Sequence, residues 1–138
     1  MEESNHPLSG WKQYLTNNDY EYLIKFVENV KNNKPNDKMI VLLGRSRTGK
    51  SRLIKEIALC IGVKNYTLCD TSGSAFLEPL VKLVHIVEVE DYKKKYIQQL
   101  KNVIQYKQSI IAETNIMCNV INNIIDYITI IEMKHVFT

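Results

Sequence analysis

Eight consecutive residues, Gly44-Arg45-Ser46-Arg47-Thr48-Gly49-Lys50-Ser51, constrain this chain more than any other stretch. They fit the spacing Gly-x-x-x-x-Gly-Lys-Ser/Thr, and their flanks matter as much as the match. Before them runs Met39-Ile40-Val41-Leu42-Leu43, a continuous apolar run suited to a strand buried on both faces. After them Leu53, Ile54, Ile57, Ala58 and Ile61 recur at helical spacing, and Gly62 stands at a helix C′ position. Two glycines let the connecting backbone curl so that successive N–H groups face one point. The helix start adds partial positive charge there, which makes a cradle for an anion. Lys50 adds a point charge and Ser51 a hydroxyl able to ligate a divalent cation, the combination that phosphate groups require. A plain glycine-rich turn leaves Lys-Ser at the helix start unexplained. The binding set is Gly44 to Ser51, with Arg52 directly behind it.

The rest of the chain is organised around that unit. Residues 1–18 form a polar arm with Pro7, Gly10 and Trp11, either docked through Trp11 and Tyr14 or mobile. Residues 19–138 form the domain that carries the loop. Asp19 is expected to cap a helix from Tyr20 to about Asn33, with Leu23, Ile24, Phe26, Val27 and Val30 on its apolar face. Further strands are expected at Tyr66–Cys69, Leu83–Val89, Ser109–Ala112 and Tyr127–Ile131. Helical segments are expected at Phe76–Val81 and from Asp91 to about Tyr106. This alternation predicts an α/β fold with an about five-stranded, mostly parallel sheet and helices on both faces.

Composition narrows the class. At 138 residues, with 45% apolar and 24% charged side chains, the chain suits one globular domain and not a disordered tract. No apolar run approaches the roughly 18 residues of a membrane span, and the acidic, polar N-terminus is not a secretory signal. The expected setting is intracellular, cytoplasmic and away from membranes. The net charge of +3 permits nucleic acid as a partner without predicting it. Arg45, Arg47 and Arg52 are the only arginines, and all fall within the loop and the helix start. Arg45 and Arg47 are either solvated or reach a phosphate or a partner subunit. Cys60, Cys69 and Cys118 are far apart and unpaired with histidine, so they suit small buried thiols and not zinc or a disulfide framework. His85, in a strand-like run, reads as a core or edge histidine.

A phosphoryl-transfer site also needs carboxylates, and in a parallel sheet these come from strand ends beside the loop. Leu83-Val84-His85-Ile86-Val87-Glu88-Val89-Glu90-Asp91 offers such an end. If the strand stops at Val87, Glu88 orients the attacking water and Val87 takes the place of a metal-side acid. If it runs on to Val89, Glu90 and Asp91 form an acidic pair. Glu88 is preferred as the base, with Ser51, Glu90 and Asp91 as the metal set. The next strand leads into Glu113-Thr114-Asn115, where Asn115 can contact a γ-phosphate or a water.

The order of these motifs resembles the superfamily 3 helicases of viruses, which are AAA+-like P-loop NTPases of large DNA viruses among others. Gly44–Ser51 is similar to their first motif, Ile86–Asp91 to their second and Ile110–Asn115 to their third. The resemblance implies ATP and Mg²⁺ as cofactors, Lys50 and Ser51 on phosphate and metal, Glu88 as water activator and Asn115 as polar sensor. It also implies a viral protein working in the infected host cell. The stretch between the second and third motifs is short for a DNA-gripping hairpin. No arginine follows Arg52 to act as a finger. A reduced, degenerate relative or an excised domain therefore fits better than a self-sufficient helicase, with an arginine supplied by a partner protein or across a homo-oligomer interface.

Three functions remain open on these residues. The first is an ATPase of helicase-like ancestry with weak or partner-dependent hydrolysis. The second is a small-molecule or nucleoside kinase, with Asp70-Thr71 facing an acceptor. The third is a non-catalytic assembly module that uses nucleotide for folding. A guanine-reading Asn-Lys-x-Asp is missing after the loop, which disfavours a GTPase.

Overall fold

The computed structural model describes residues 6–69, 82–86, 109–117, 121–122 and 124–137. The expected helices at Phe76–Val81 and Asp91–Tyr106 lie outside them. So do Glu88, Glu90 and Asp91.

The apolar run Met39–Leu43 forms β1, and all its positions but the last are buried. β2 spans Tyr66–Cys69, β3 Leu83–Ile86, β4 Ser109–Thr114 and β5 Ile128–Glu132. They make one sheet in the order β2-β3-β4-β1-β5, and every pairing is parallel. The interior strand β1 pairs with β4 on one side and the edge strand β5 on the other, so the loop that leaves β1 emerges between the ends of two neighbours.

Among the described residues two α-helices pack on one face of the sheet. α1 spans Asn17–Lys31 and α2 spans Lys50–Ile61. Tyr20, Leu23, Phe26, Val27 and Val30 of α1 share one apolar cluster with Leu53, Ile54, Ile57 and Ile61 of α2. Ile40 and Leu42 of β1, Leu83 of β3, Ile111 of β4 and Ile131 of β5 complete that cluster. Strand alternation sends Val41, Val84, Ile110 and Ala112 to the opposite face, and these are buried as well. Burial on both faces is the reason β1 reads as an unbroken apolar run rather than an alternating one.

Several boundaries differ from expectation, and β5 is shifted by one residue, to Ile128–Glu132. α1 begins at Asn17, because Thr16 and not Asp19 caps it. Thr16 has an extended backbone and its Oγ1 accepts the Asp19 N–H at 3.1 Å. Asp19 is then a first-turn acid, favourable to the helix dipole. The helix stops at Lys31, short of Asn33, which has turned to a positive φ of 59° that asparagine tolerates. β4 runs two residues past Ala112 and takes Glu113 into the sheet opposite Leu42.

The arm is docked over residues 6–16. Leu8 is fully buried, and Trp11 is nearly so within the same apolar cluster. His6 meets Glu28 of α1 at 3.1 Å. Among the described residues no helix is long and apolar enough to cross a membrane.

Candidate functional site

The loop is held from three sides. Gly44 donates to the Thr114 carbonyl at the end of β4, and Met133 donates to the Leu43 carbonyl. A Cβ on Gly44 would stand 2.6 Å from the Met133 carbonyl oxygen, which is why the first glycine is needed. Gly49 has φ +85°, and its Cβ would stand 2.8 Å from the Trp11 ring and 3.1 Å from that of Phe137. The second glycine therefore answers both to backbone conformation and to an aromatic neighbour. Phe137 also donates its backbone N–H to the Arg47 carbonyl at 2.7 Å. Trp11 is fixed by an indole N–H bond to Glu56 at 2.9 Å.

Lys50 is buried at the first residue of α2. Its Nζ donates to the Gly44 and Arg45 carbonyls at 2.6 and 2.8 Å, so the ammonium sits inside the curl of the loop. Thr48 is buried too, with its hydroxyl on the Arg45 carbonyl. Ser46, Arg45 and Arg47 are exposed, and Arg47 adopts a positive φ of 67°. Arg52 points elsewhere: it pairs with Glu56 and lies over the Phe137 ring. α2 starts at Gly49 with no side-chain cap and no acid in its first turn. Helix starts usually carry one or the other.

Ser51 is the residue after Lys50, and its hydroxyl donates to Glu113 Oε1 at 2.8 Å. The other carboxylate oxygen, Oε2, meets His85 Nε2 at 2.5 Å, and His85 Nδ1 meets the Tyr66 hydroxyl at 2.6 Å. Burial, and next the nearby Glu113 carboxylate, push the Tyr66 phenol above its ordinary value. Glu113 was not singled out from sequence. Its signal was an acid directly after the apolar Ile110-Ile111-Ala112, which normally marks a strand end. Here the charge stays in the sheet because two side chains meet it.

Asn115 follows β4, is exposed, and lines a cleft of about 460 Å³ with Gly44, Arg45, Thr48, Met117 and Lys134. It shares that cleft with the loop, whereas Ser51 and Glu113 meet beside it. Among the described residues no group of three or more His, Cys, Asp or Glu could hold a metal ion. Ser51 and Glu113 do supply two adjacent hard oxygen donors, the donor type that Mg²⁺ takes.

With this geometry, comparison with known proteins is informative. The sequence matches no family model and no curated protein. Among solved structures the chain is similar to AMPPCP-bound DnaA from Aquifex aeolicus, at 14% identity, TM-score 0.58 and 83% of this chain. It is similar to C. elegans PCH-2 at 14% identity, TM-score 0.58 and 92% coverage. RuvB T158V from Thermotoga maritima gives 15%, 0.57 and 88%. All are AAA+ P-loop ATPase structures. The fold is that of a P-loop NTPase. This chain spans 45%, 46% and 46% of the three neighbours' own lengths, so the likeness concerns one α/β unit of each.

Proposed function

We propose that this P-loop NTPase unit binds a nucleoside triphosphate, with ATP as the reference ligand, along Gly44–Ser51. The observation that carries the reading is the start of α2. An uncapped helix N-terminus and a buried lysine whose ammonium folds onto the loop's own carbonyls bring two sources of positive charge to the curl of the loop. In the bound state Lys50 exchanges those carbonyls for phosphate oxygens, and the loop N–H groups take the remaining charge. Ser51 and Glu113 are the described residues that would hold Mg²⁺, which supplies charge neutralisation across the phosphates when bound. Asn115 stands at the cleft as a polar contact for the terminal phosphate, and the sequence assigns water activation to Glu88, with Glu90 and Asp91 behind it. The neighbours support a P-loop NTPase in general, and the finer superfamily 3 reading rests on motif order alone.

Hydrolysis on this reading is weak or depends on a partner, because no arginine follows Arg52 to act as a finger. The test is calorimetric titration with Mg-ATP beside phosphate release with and without single-stranded DNA. Lys50→Ala should weaken binding at least tenfold with the sheet intact by circular dichroism. Turnover stimulated by DNA supports the helicase-like form of the proposal. Binding without turnover supports the assembly-module form. No heat and no thermal shift at millimolar Mg-ATP would refute nucleotide binding itself.

A further inference from the structure

Four side chains from four elements form one unbroken chain of hydrogen bonds: Tyr66 of β2, His85 of β3, Glu113 of β4 and Ser51 of α2. The register explains how they meet. Tyr66 pairs with Leu83, two residues before His85, and His85 pairs with Ile111, two residues before Glu113. All share the helix-covered face, and each step moves two residues towards the carboxyl edge of the sheet. Such diagonal neighbours are within reach of aromatic and long side chains. The diagonal ends at the first turn of α2, directly below the loop.

The His85 and Glu113 side chains are each only 7% exposed. Burying a carboxylate is expensive, and a buried ionic pair is often no more stabilising than apolar residues of similar volume. Apolar side chains would fill this site, as Ile111 and Leu83 do beside it. The proton assignment follows from the acceptors. A carboxylate only accepts, so His85 Nε2–H donates to Glu113, and in the neutral imidazole this leaves Nδ1 to accept the Tyr66 hydroxyl proton. Tyr66 thereby fixes the ring of His85, and His85 fixes which Glu113 oxygen turns towards Ser51.

We infer that Tyr66 and His85 are positioning residues that hold Glu113 on the Ser51 hydroxyl, and so set the preference of this loop for a magnesium-bound over a bare triphosphate. The carboxylate on the loop hydroxyl then comes from β4, the strand beside β1. The inference rests on the nucleotide-binding reading above. Partners of this kind, one step removed from a metal, typically change metal affinity by 10–100-fold when replaced.

The experiment measures ATP affinity in Mg²⁺ and in EDTA by calorimetry, for the wild-type chain and for Tyr66→Phe, His85→Gln and His85→Leu. The expected result is a roughly tenfold loss of the Mg²⁺-dependent gain in His85→Leu. Tyr66→Phe should lose less, and His85→Gln, which keeps an N–H towards Glu113, should recover part. Affinity in EDTA should stay at the wild-type value. Tyr66→Phe removes one hydroxyl and keeps the test alive if His85→Leu does not fold. Equal losses in Mg²⁺ and EDTA would reduce the chain to a structural role and overturn the inference. So would an unchanged Mg²⁺ gain in folded Tyr66→Phe and His85→Gln. Wild-type binding that ignores Mg²⁺ would overturn it while leaving nucleotide binding intact. No wild-type binding in either buffer would remove both.

Discussion

Gly49→Ala tests whether the aromatic contact on the loop is a real constraint. Two costs are separable. Gly49 has φ +85°, and an L-residue held in the left-handed region costs about 1–2 kcal/mol. The new methyl would also stand 2.8 Å from Trp11 Cη2 and 3.1 Å from Phe137 Cε2, and overpacking of that kind costs about 1–3 kcal/mol. Together these predict a loss of about 2–5 kcal/mol, or roughly 8–20 °C in Tm for a chain of this size. Trp11→Phe separates the terms, because it deletes Cη2 and Cζ3, the indole atoms that crowd the methyl. In that background Gly49→Ala should cost about 1–3 kcal/mol, the backbone term and the remaining contact with Phe137. The double-mutant cycle, read by urea denaturation and far-ultraviolet circular dichroism, should therefore show a coupling of about 1–2 kcal/mol. Additivity within about 0.5 kcal/mol would mean that Trp11 does not press on the loop, and the packing argument would fail.

Two further outcomes follow from features away from the loop. Thr16→Ala should destabilise the chain by about 1 kcal/mol by removing the acceptor for the Asp19 N–H, while Thr16→Ser should retain most of it. Equal loss in both variants by urea denaturation would show that the cap is not the cause. Burial raises the Cys60 thiol above its ordinary value; Glu28 adds to this and Lys31 opposes it. Less thiolate is then present at any given pH, so peptide-resolved alkylation of Cys60 should rise along a curve displaced to higher pH than that of free cysteine. A curve at or below the free-thiol position would contradict the burial argument.

Much of this fold was legible because its elements announce themselves locally. Met39–Leu43 and Tyr66–Cys69 form strands over the residues that their runs suggested, and Gly62 ends α2 as its position implied. The helix-cap error at α1 has a local origin too. Thr16 and Asp19 are both capping residues three apart, and only backbone conformation decides between them. Glu113 was harder. A charge after an apolar run reads as the end of a strand, and only the β3–β4 register brings His85 near enough to keep it inside. Residue spacing along one strand carries no information about that register. For the same reason the contact of Trp11 and Phe137 with Gly49 could not be read from their neighbours in sequence.

The chain has one tryptophan, and it lies against the turn glycine of the phosphate loop with its indole N–H on Glu56. Excited at its red edge, the unlabelled chain emits from a single place, within contact distance of the second glycine of the loop. Its quantum yield and emission maximum are therefore a built-in optical gauge of loop conformation. The state of the cradle can be followed in real time with no dye, no tag and no chemistry on the protein.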